Sequence, residues 1–133
     1  MRTVFADTFY FLALLDSSEQ FHLPAVEFSR DPQFRLVTTE WVLAEFGDAY
    51  SRPNDRADFV AFYRSLVNHP RVRIIPADTR LFQRGVEFFG CRPDKRWSLT
   101  DCMSFVVMAD EGILEALTGD RDFEQAGFTA LLK

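Results

Sequence analysis

The chain has few of the residues that mark a secreted scaffold, a zinc protein or a membrane protein. Its 133 residues include only two cysteines, Cys91 and Cys102, and two histidines. Neither cysteine stands in a Cys-x-x-Cys pair or near a histidine cluster, which argues against a disulfide framework and a zinc site; both thiols read as reduced packing residues. The longest apolar stretches, such as Val4–Ala6 and Phe9–Leu15, fall well short of the roughly 20 residues needed to span a bilayer. Asp7 interrupts the first of them, against a secretory leader, so the expected location is the cytoplasm with no membrane partner. Repeats, low-complexity tracts and linkers are missing. Positive charge is in deficit, 15 basic residues against 20 acidic ones for a net charge of −5. A protein that simply coats nucleic acid would be basic. Any polyanion must therefore be met locally or through metal ions.

What is present describes a globular chain. Hydrophobic residues make up 47% and charged residues 26%, near the average for folded domains. The length fits one domain over residues 1–133. Arginine outnumbers lysine 13 to 2, the lysines being Lys95 and Lys133. Arginine is the better fork for phosphate and carboxylate, although a GC-rich genome gives the same bias. Location says more than number. The segment Arg71–Arg96 carries +4 and leaves −9 for the rest of the chain, so charge is segregated.

Short apolar runs alternate with helical patterns. Arg2–Ala6, Leu36–Thr38, Val72–Ile75, Ile113–Leu117 and Phe128–Leu132 read as strands. Between them, helices are expected over Phe9–Leu15 behind the polar Asp7-Thr8 pair, over Leu23–Phe28, and from a Thr39 cap to about Tyr50. A helix capped by Asp55 has Phe59, Phe62, Tyr63, Leu66 and Val67 as its apolar stripe. A further helix runs from an Asp78 cap through Phe89, with Leu81, Phe82, Val86 and Phe89 on one face and Gly90 as its C-terminal cap. Ser98 opens a helix to about Glu111, with Cys102, Phe105, Val106 and Ala109 inward and Gly112 closing it. Thr118–Arg121 reads as a turn and Asp122–Ala126 as a helical turn. This order predicts an α/β fold: a short parallel sheet of about four to five strands sandwiched by helices.

In such sheets ligands sit outside the carboxyl ends of the strands. Asp7 ends the first strand, and Asp120 follows the strand Ile113–Leu117. Asp101 lies in the first turn of the Ser98 helix, and Glu45 sits mid-helix among Val42, Leu43, Ala44 and Phe46. Each has a structural role open to it. Asp7 can be an N-cap, Asp101 can complete a Ser98-Leu99-Thr100-Asp101 capping box, Asp120 can be a turn residue, and Glu45 a solvated helix acid. Asp48, three residues beyond Glu45, and Asp122 are weaker candidates, Asp122 reading as a helix cap. Their joint placement points further. Four converging carboxylates raise one another's pKa unless a cation joins them. With no histidine or cysteine in the set, the ligands are hard oxygens, which suit Mg²⁺ or Mn²⁺. Such an ion activates water and polarises phosphorus, the requirements of phosphodiester hydrolysis. The Arg71–Arg96 segment, Arg92 and Arg96 included, is placed to meet the polyanion.

The ordered set resembles a PIN domain, specifically the VapC-like toxin nucleases of bacterial toxin–antitoxin pairs. Val4-Phe5-Ala6-Asp7-Thr8 is similar to that family's opening strand and acid. Val37-Thr38-Thr39-Glu40-Trp41-Val42-Leu43-Ala44-Glu45 is similar to its second element, Trp97-Ser98-Leu99-Thr100-Asp101-Cys102 to the helix start carrying its third acid, and Leu117-Thr118-Gly119-Asp120-Arg121-Asp122-Phe123 to the fourth, extended by Gln125-Ala126-Gly127-Phe128. The resemblance covers nearly the whole chain in order and spacing. It implies a metal-dependent ribonuclease with Asp7, Glu45, Asp101 and Asp120 as catalytic acids holding Mg²⁺ or Mn²⁺, and Thr8 supporting the site by hydrogen bonding. It also implies an RNA substrate, a homodimer and inhibition by a small VapB-like antitoxin.

Two other readings remain open at the level of sequence. A phosphoacceptor receiver domain has similar length and an acidic Mg²⁺ pocket. It needs adjacent acids after strand one, where Asp7 stands alone, and a lysine after a late strand, whereas the only lysines are Lys95 in the basic loop and Lys133 at the terminus; Asp78 is a conceivable acceptor. A non-catalytic interaction module would use the surplus of aromatic residues, Phe9, Phe11, Phe59, Phe62, Phe88 and Phe89 among them, as an interface.

Overall fold

A computed structural model describes residues 1–133 throughout. Its centre is β1 (Arg2–Ala6), in which Val4, Phe5 and Ala6 are all fully buried. Consecutive burial without alternation is the mark of a parallel strand covered on both faces. On one side β1 pairs in parallel with β2 (Phe34–Thr39), with Val4 opposite Leu36, and β2 pairs with β3 (Val72–Ile75). On the other side β1 pairs with β4 (Glu115–Leu117), and β4 with the two-residue β5 (Thr129–Ala130). The sheet order is β3-β2-β1-β4-β5, every pair parallel. The expected five-stranded α/β architecture is present.

Parallel neighbours need crossover connections, and helices supply them. α1 (Thr8–Leu15) and α2 (His22–Arg30) join β1 to β2, and α3 (Glu40–Asp48) and α4 (Arg56–Val67) join β2 to β3. α5 (Thr79–Cys91) and α6 (Leu99–Glu111) lead to β4, and the short α7 (Arg121–Gln125) leads to β5. Several ends are chemically specified. The Thr39 and Asp78 side chains accept from the backbone N–H of Val42 and Leu81, and Gly112 closes α6 in the left-handed region that glycine adopts without penalty. No helix is long and apolar enough to cross a membrane.

The strand order has one consequence for function. The chain winds outward from β1 through β2 and β3, then returns to place β4 on the opposite side of β1. Where the winding reverses, the crossovers leave a crevice at the carboxyl ends of the two adjacent strands. Here those ends are Ala6 and Leu117, which lie side by side in register.

The sequence reading misplaces some faces and ends. β2 starts earlier, at Phe34, and β4 omits Ile113 and Leu114. α5 continues past Gly90 to Cys91, so Gly90 is a helical residue and not a cap. Of the apolar face expected on α5, only Leu81 is buried; Phe82, Val86 and Phe89 are exposed. The reason is Gly85. α5 packs on α6 through Leu81 and the buried Gly85, where an added Cβ would lie 2.4 Å from Met103 Cγ. The glycine draws the helices together and turns the larger side chains outward. On α6, Met103, Ser104, Val107 and Met108 are buried, while Ala109, expected inward, is exposed. On α4, Leu66 is buried and Phe59 and Phe62 are half-buried, while Tyr63 and Val67 lie outside. Most of the phenylalanines set aside as an interface belong to the core. Phe11, Phe46, Phe59 and Phe62 interlock at ring separations of 5.3–6.1 Å, and of the six only Phe89 is exposed.

Candidate active site

The crevice between β1 and β4 is acidic. Asp7 follows β1 directly and occupies the N-cap position of α1, but its side chain makes no capping hydrogen bond. It is 4% exposed. Its Oδ2 instead accepts from Thr118 Oγ1 at 2.9 Å. Thr118 is itself fully buried at the end of β4, and its Oγ1 also accepts from the Asp120 N–H at 3.0 Å. One threonine hydroxyl thus links the acid after β1 to the acid after β4. Gly119 allows this tight passage, because a Cβ there would come within 2.6 Å of the Phe9 ring and 3.2 Å of the Leu132 carbonyl oxygen.

Asp120 is the N-cap of α7, its Oδ1 accepting from the Asp122 N–H at 2.9 Å. Asp101 completes a capping box on α6: Ser98 Oγ accepts from the Asp101 N–H at 3.0 Å, and Asp101 Oδ2 accepts from the Ser98 N–H at 3.1 Å. The capping and ligand roles are therefore not alternatives. In Asp7, Asp101 and Asp120 a carboxylate oxygen is engaged in the fold's own hydrogen bonds, which fixes the group.

Three of these carboxylates converge closely. One oxygen from each of Asp101, Asp120 and Asp122 lies within 4.8 Å of the others. Asp122, read from sequence only as a cap and a weaker candidate, is a full member of the group, one of its carboxylate oxygens lying within 4.8 Å of those of Asp101 and Asp120. Its signal was the Asp-x-Asp spacing, which on a helix start turns both side chains toward the same end. Asp7 lies close enough to feel the charges of Asp101 and Asp120. Burial, reinforced by Asp101, raises its pKa to about 7, against the opposing hydrogen bonds from Thr118 and the Thr8 N–H. Burial also lifts Asp101 to about 6, with the charges of Asp120 and Asp122 adding to the effect. Asp122 is raised too, by burial first and Asp120 second. Beside them the Thr8 hydroxyl is buried without a hydrogen-bond partner.

The remaining expected residues are placed differently. Glu45 is exposed on α3 and stands outside the aspartate cluster, as does the exposed Asp48 at the end of that helix. Arg92 forms a two-pronged ion pair with Asp94 at 3.0–3.1 Å and lies over the Trp97 ring at 4.9 Å. Lys95 lies over the same ring. Arg96 is exposed and has no acidic partner. Elsewhere in the basic segment Arg73 pairs with Glu111 and Arg84 with Asp110, so much of its segregated charge is neutralised across the fold. Asp78, the acceptor a receiver domain would need, is the exposed N-cap of α5 and not part of the acid cluster.

The donor set tests the fit of a metal ion. The converging groups are carboxylate oxygens within 4.8 Å of one another, and no lysine or arginine side chain forms an ion pair with them. Such a group must hold protons or a cation. Hard oxygens in this number suit a hydrated divalent ion that completes its shell with phosphate.

The comparisons agree with this geometry. The family model described as "PIN domain" matches residues 4–129. The chain is 29% identical over 126 residues, 94% of its length and 95% of the relative's, to the 23S rRNA-specific endonuclease VapC20 of Mycobacterium tuberculosis. It is also similar to the crystal structure of that sarcin–ricin loop cleaving toxin, with a TM-score of 0.86 and 26% identity over 98% of this chain and 99% of the other. VapBC2 from Rickettsia felis, solved bound to a DNA fragment from its promoter, shares the fold with a TM-score of 0.69 at 11% identity, covering 96% of each chain. The chain belongs to the PIN domain family.

Proposed function

We propose that this chain is a divalent-metal-dependent endoribonuclease, that its site is built from Asp7, Glu45, Asp101 and Asp120 with Asp122 added, and that it acts as the toxin of a toxin–antitoxin pair. The observation that carries the reading is the convergence of carboxylates at the point where the sheet reverses its winding. Mg²⁺ or Mn²⁺ would be held by Asp7, Asp101, Asp120 and Asp122. When bound, the ion supplies an activated water and a polarised phosphorus.

The chain's own residues prepare that chemistry. Thr118 holds Asp7 and Asp120 in fixed relation. The Ser98 capping box holds Asp101. Fixed acids cost little reorganisation when an ion enters, which is the basis of electrostatic preorganisation. The unpartnered Thr8 hydroxyl beside Asp7 is a donor for a water or a phosphate oxygen. Glu45, exposed on α3 and outside the aspartate cluster, is included on the family resemblance. Arg96, free of ion pairs, is the phosphate contact; Arg92 contributes by holding the loop against Trp97.

The substrate class follows from the relatives. One that is 29% identical over nearly the whole chain is a 23S rRNA-specific endonuclease, so a structured ribosomal RNA loop is the proposed substrate class. The partners proposed are a small antitoxin protein and a second copy of the chain. Outward-facing apolar residues support such surfaces: Phe82, Val86 and Phe89 on α5, and Val60, Tyr63 and Val67 on α4.

The test is incubation of the whole chain with ribosomal RNA fragments in Mg²⁺ or Mn²⁺, followed by mapping of the ends. Cleavage at a discrete site, abolished by chelator and by Asp120→Asn, is the expected result. Cleavage that survives the chelator would refute the metal, and cleavage that survives Asp120→Asn would refute the site.

A further inference from the structure

Two of the three converging carboxylates stand on α7, an element too small to hold itself. Isolated helices shorter than about 12–15 residues are marginal in water. α7 has five residues, with Asp120 as its N-cap and Asp122 in its first turn. Tertiary contacts must therefore decide where these two acids point. One contact is Phe123, which is fully buried and meets the Phe105 ring of α6 edge-on at 4.9 Å. A single buried ring fixes where α7 sits and leaves open its rotation about that point.

A second contact sets the rotation. Trp97 Nε1 donates to Gln125 Oε1 at 3.3 Å. Gln125 lies three residues beyond Asp122, so the two side chains leave the same face of α7. The bond that draws Gln125 to Trp97 thus turns Asp122 toward the start of α6, where Asp101 stands. Trp97 is a firm anchor. It is 4% exposed, stacks on Phe88 at 5.7 Å, meets Phe105 edge-on at 5.1 Å and has the Arg92 guanidinium over its ring. Its indole N–H finds its acceptor in Gln125, and a buried N–H left without one costs free energy. Trp97 also directly precedes Ser98, whose capping box fixes Asp101. One residue is therefore joined by a peptide bond to the cap that holds Asp101, and by a hydrogen bond to the helix that carries Asp122.

We propose that Gln125 and Trp97 are positioning residues for the metal site, their hydrogen bond setting the gap between Asp101 and the Asp120–Asp122 pair and through it the affinity for a divalent ion. The proposal rests on the metal reading of the carboxylate cluster and deepens it.

The experiment is a calorimetric titration of Mn²⁺ into the whole chain as wild type, Gln125→Leu, Trp97→Phe and the double variant. Gln125 is exposed, so leucine removes the acceptor without opening the core. Gln125→Leu is expected to bind about three- to tenfold more weakly at unchanged stoichiometry, less than the roughly 10–100-fold lost with a group bonded directly to a metal ligand. Partial misfolding would instead lower the stoichiometry and leave the affinity of the folded fraction alone. Both single variants remove the same bond, so the double variant should bind no more weakly than the worse of the two. Should Trp97→Phe misfold, the Trp97 indole N–H signal in NMR decides: Mg²⁺ is expected to shift it in the wild type and to shift it less in Gln125→Leu. Equal affinity in Gln125→Leu, a loss of stoichiometry alone, additive losses in the double variant, or an indole shift that ignores Gln125 would overturn the proposal. Absence of Mn²⁺ binding by the wild type would overturn the metal reading itself, and this proposal with it.

Discussion

Replacing Asp7 by asparagine is expected to stabilise the metal-free protein while removing its use. Burial and the neighbouring Asp101 place the Asp7 carboxyl at about pKa 7, against an ordinary 3.8. The folded state therefore keeps a proton that the unfolded chain releases. Stability is full below the unfolded value and falls as pH rises through the window from about 4 to 7. A shift of about three units corresponds to roughly 4 kcal/mol of penalty for the ionised form. Asparagine never ionises, and its amide oxygen can still accept from Thr118. Allowing for the weaker, uncharged hydrogen bond and for relaxation around the site, a gain of about 2–3 kcal/mol near neutral pH is expected. For a chain of this length that is a rise in Tm of about 6–12 °C. The assay is thermal unfolding of both proteins in EDTA near pH 7.5 and near pH 5. The advantage of the variant should shrink at the lower pH, where wild-type Asp7 is already protonated. In saturating Mn²⁺ the order should narrow or reverse, because only the wild type gains binding energy. A variant no more stable than wild type in EDTA near pH 7.5, or an advantage independent of pH, would refute the reasoning.

Asp101→Asn should retain stability and lose cleavage, since asparagine can still accept from the Ser98 N–H, whereas Asp101→Ala should also lose about 1 kcal/mol in a denaturant melt; equal stability of the two would remove the capping box from the account. Arg96→Ala should weaken RNA binding and reduce the slope of log affinity against log salt by about 0.7–0.9, with a smaller change for Arg92→Ala. Gly85→Ala should destabilise by about 1–3 kcal/mol in urea unfolding, because its Cβ meets Met103 in the α5–α6 contact. Phe89→Glu should leave the fold intact and shift the chain toward monomer in light scattering, a result that a non-interface face would not give.

Elements whose residues carry their own local instruction were readable in the sequence. β1 and β3 stand where their apolar runs stand, and the Thr39, Asp78 and Ser98 caps bond as their side-chain chemistry requires. Asp7 and Asp120 were singled out because ligands sit at the carboxyl ends of parallel strands, and Asp101 because it stands in the first turn of the Ser98 helix. What could not be read depended on pairs distant in sequence. The outward turn of Phe82, Val86 and Phe89 follows from Gly85 meeting Met103, a contact that no periodicity within α5 encodes. Thr118 joins two acids only once β4 lies beside β1. Asp122 read as a cap because its approach to Asp101 spans two helices, and Glu45 read as central because α3's apolar neighbours suggested burial that the helix does not give it.

The carboxylate cluster as a divalent metal site is the claim on which the rest depends, and Mn²⁺ calorimetry on wild type and Asp101→Asn side by side tests it most directly. The account predicts saturable binding by the wild type that is lost in a variant of unchanged fold. Equal binding by both proteins, or none by a folded wild type, would contradict it.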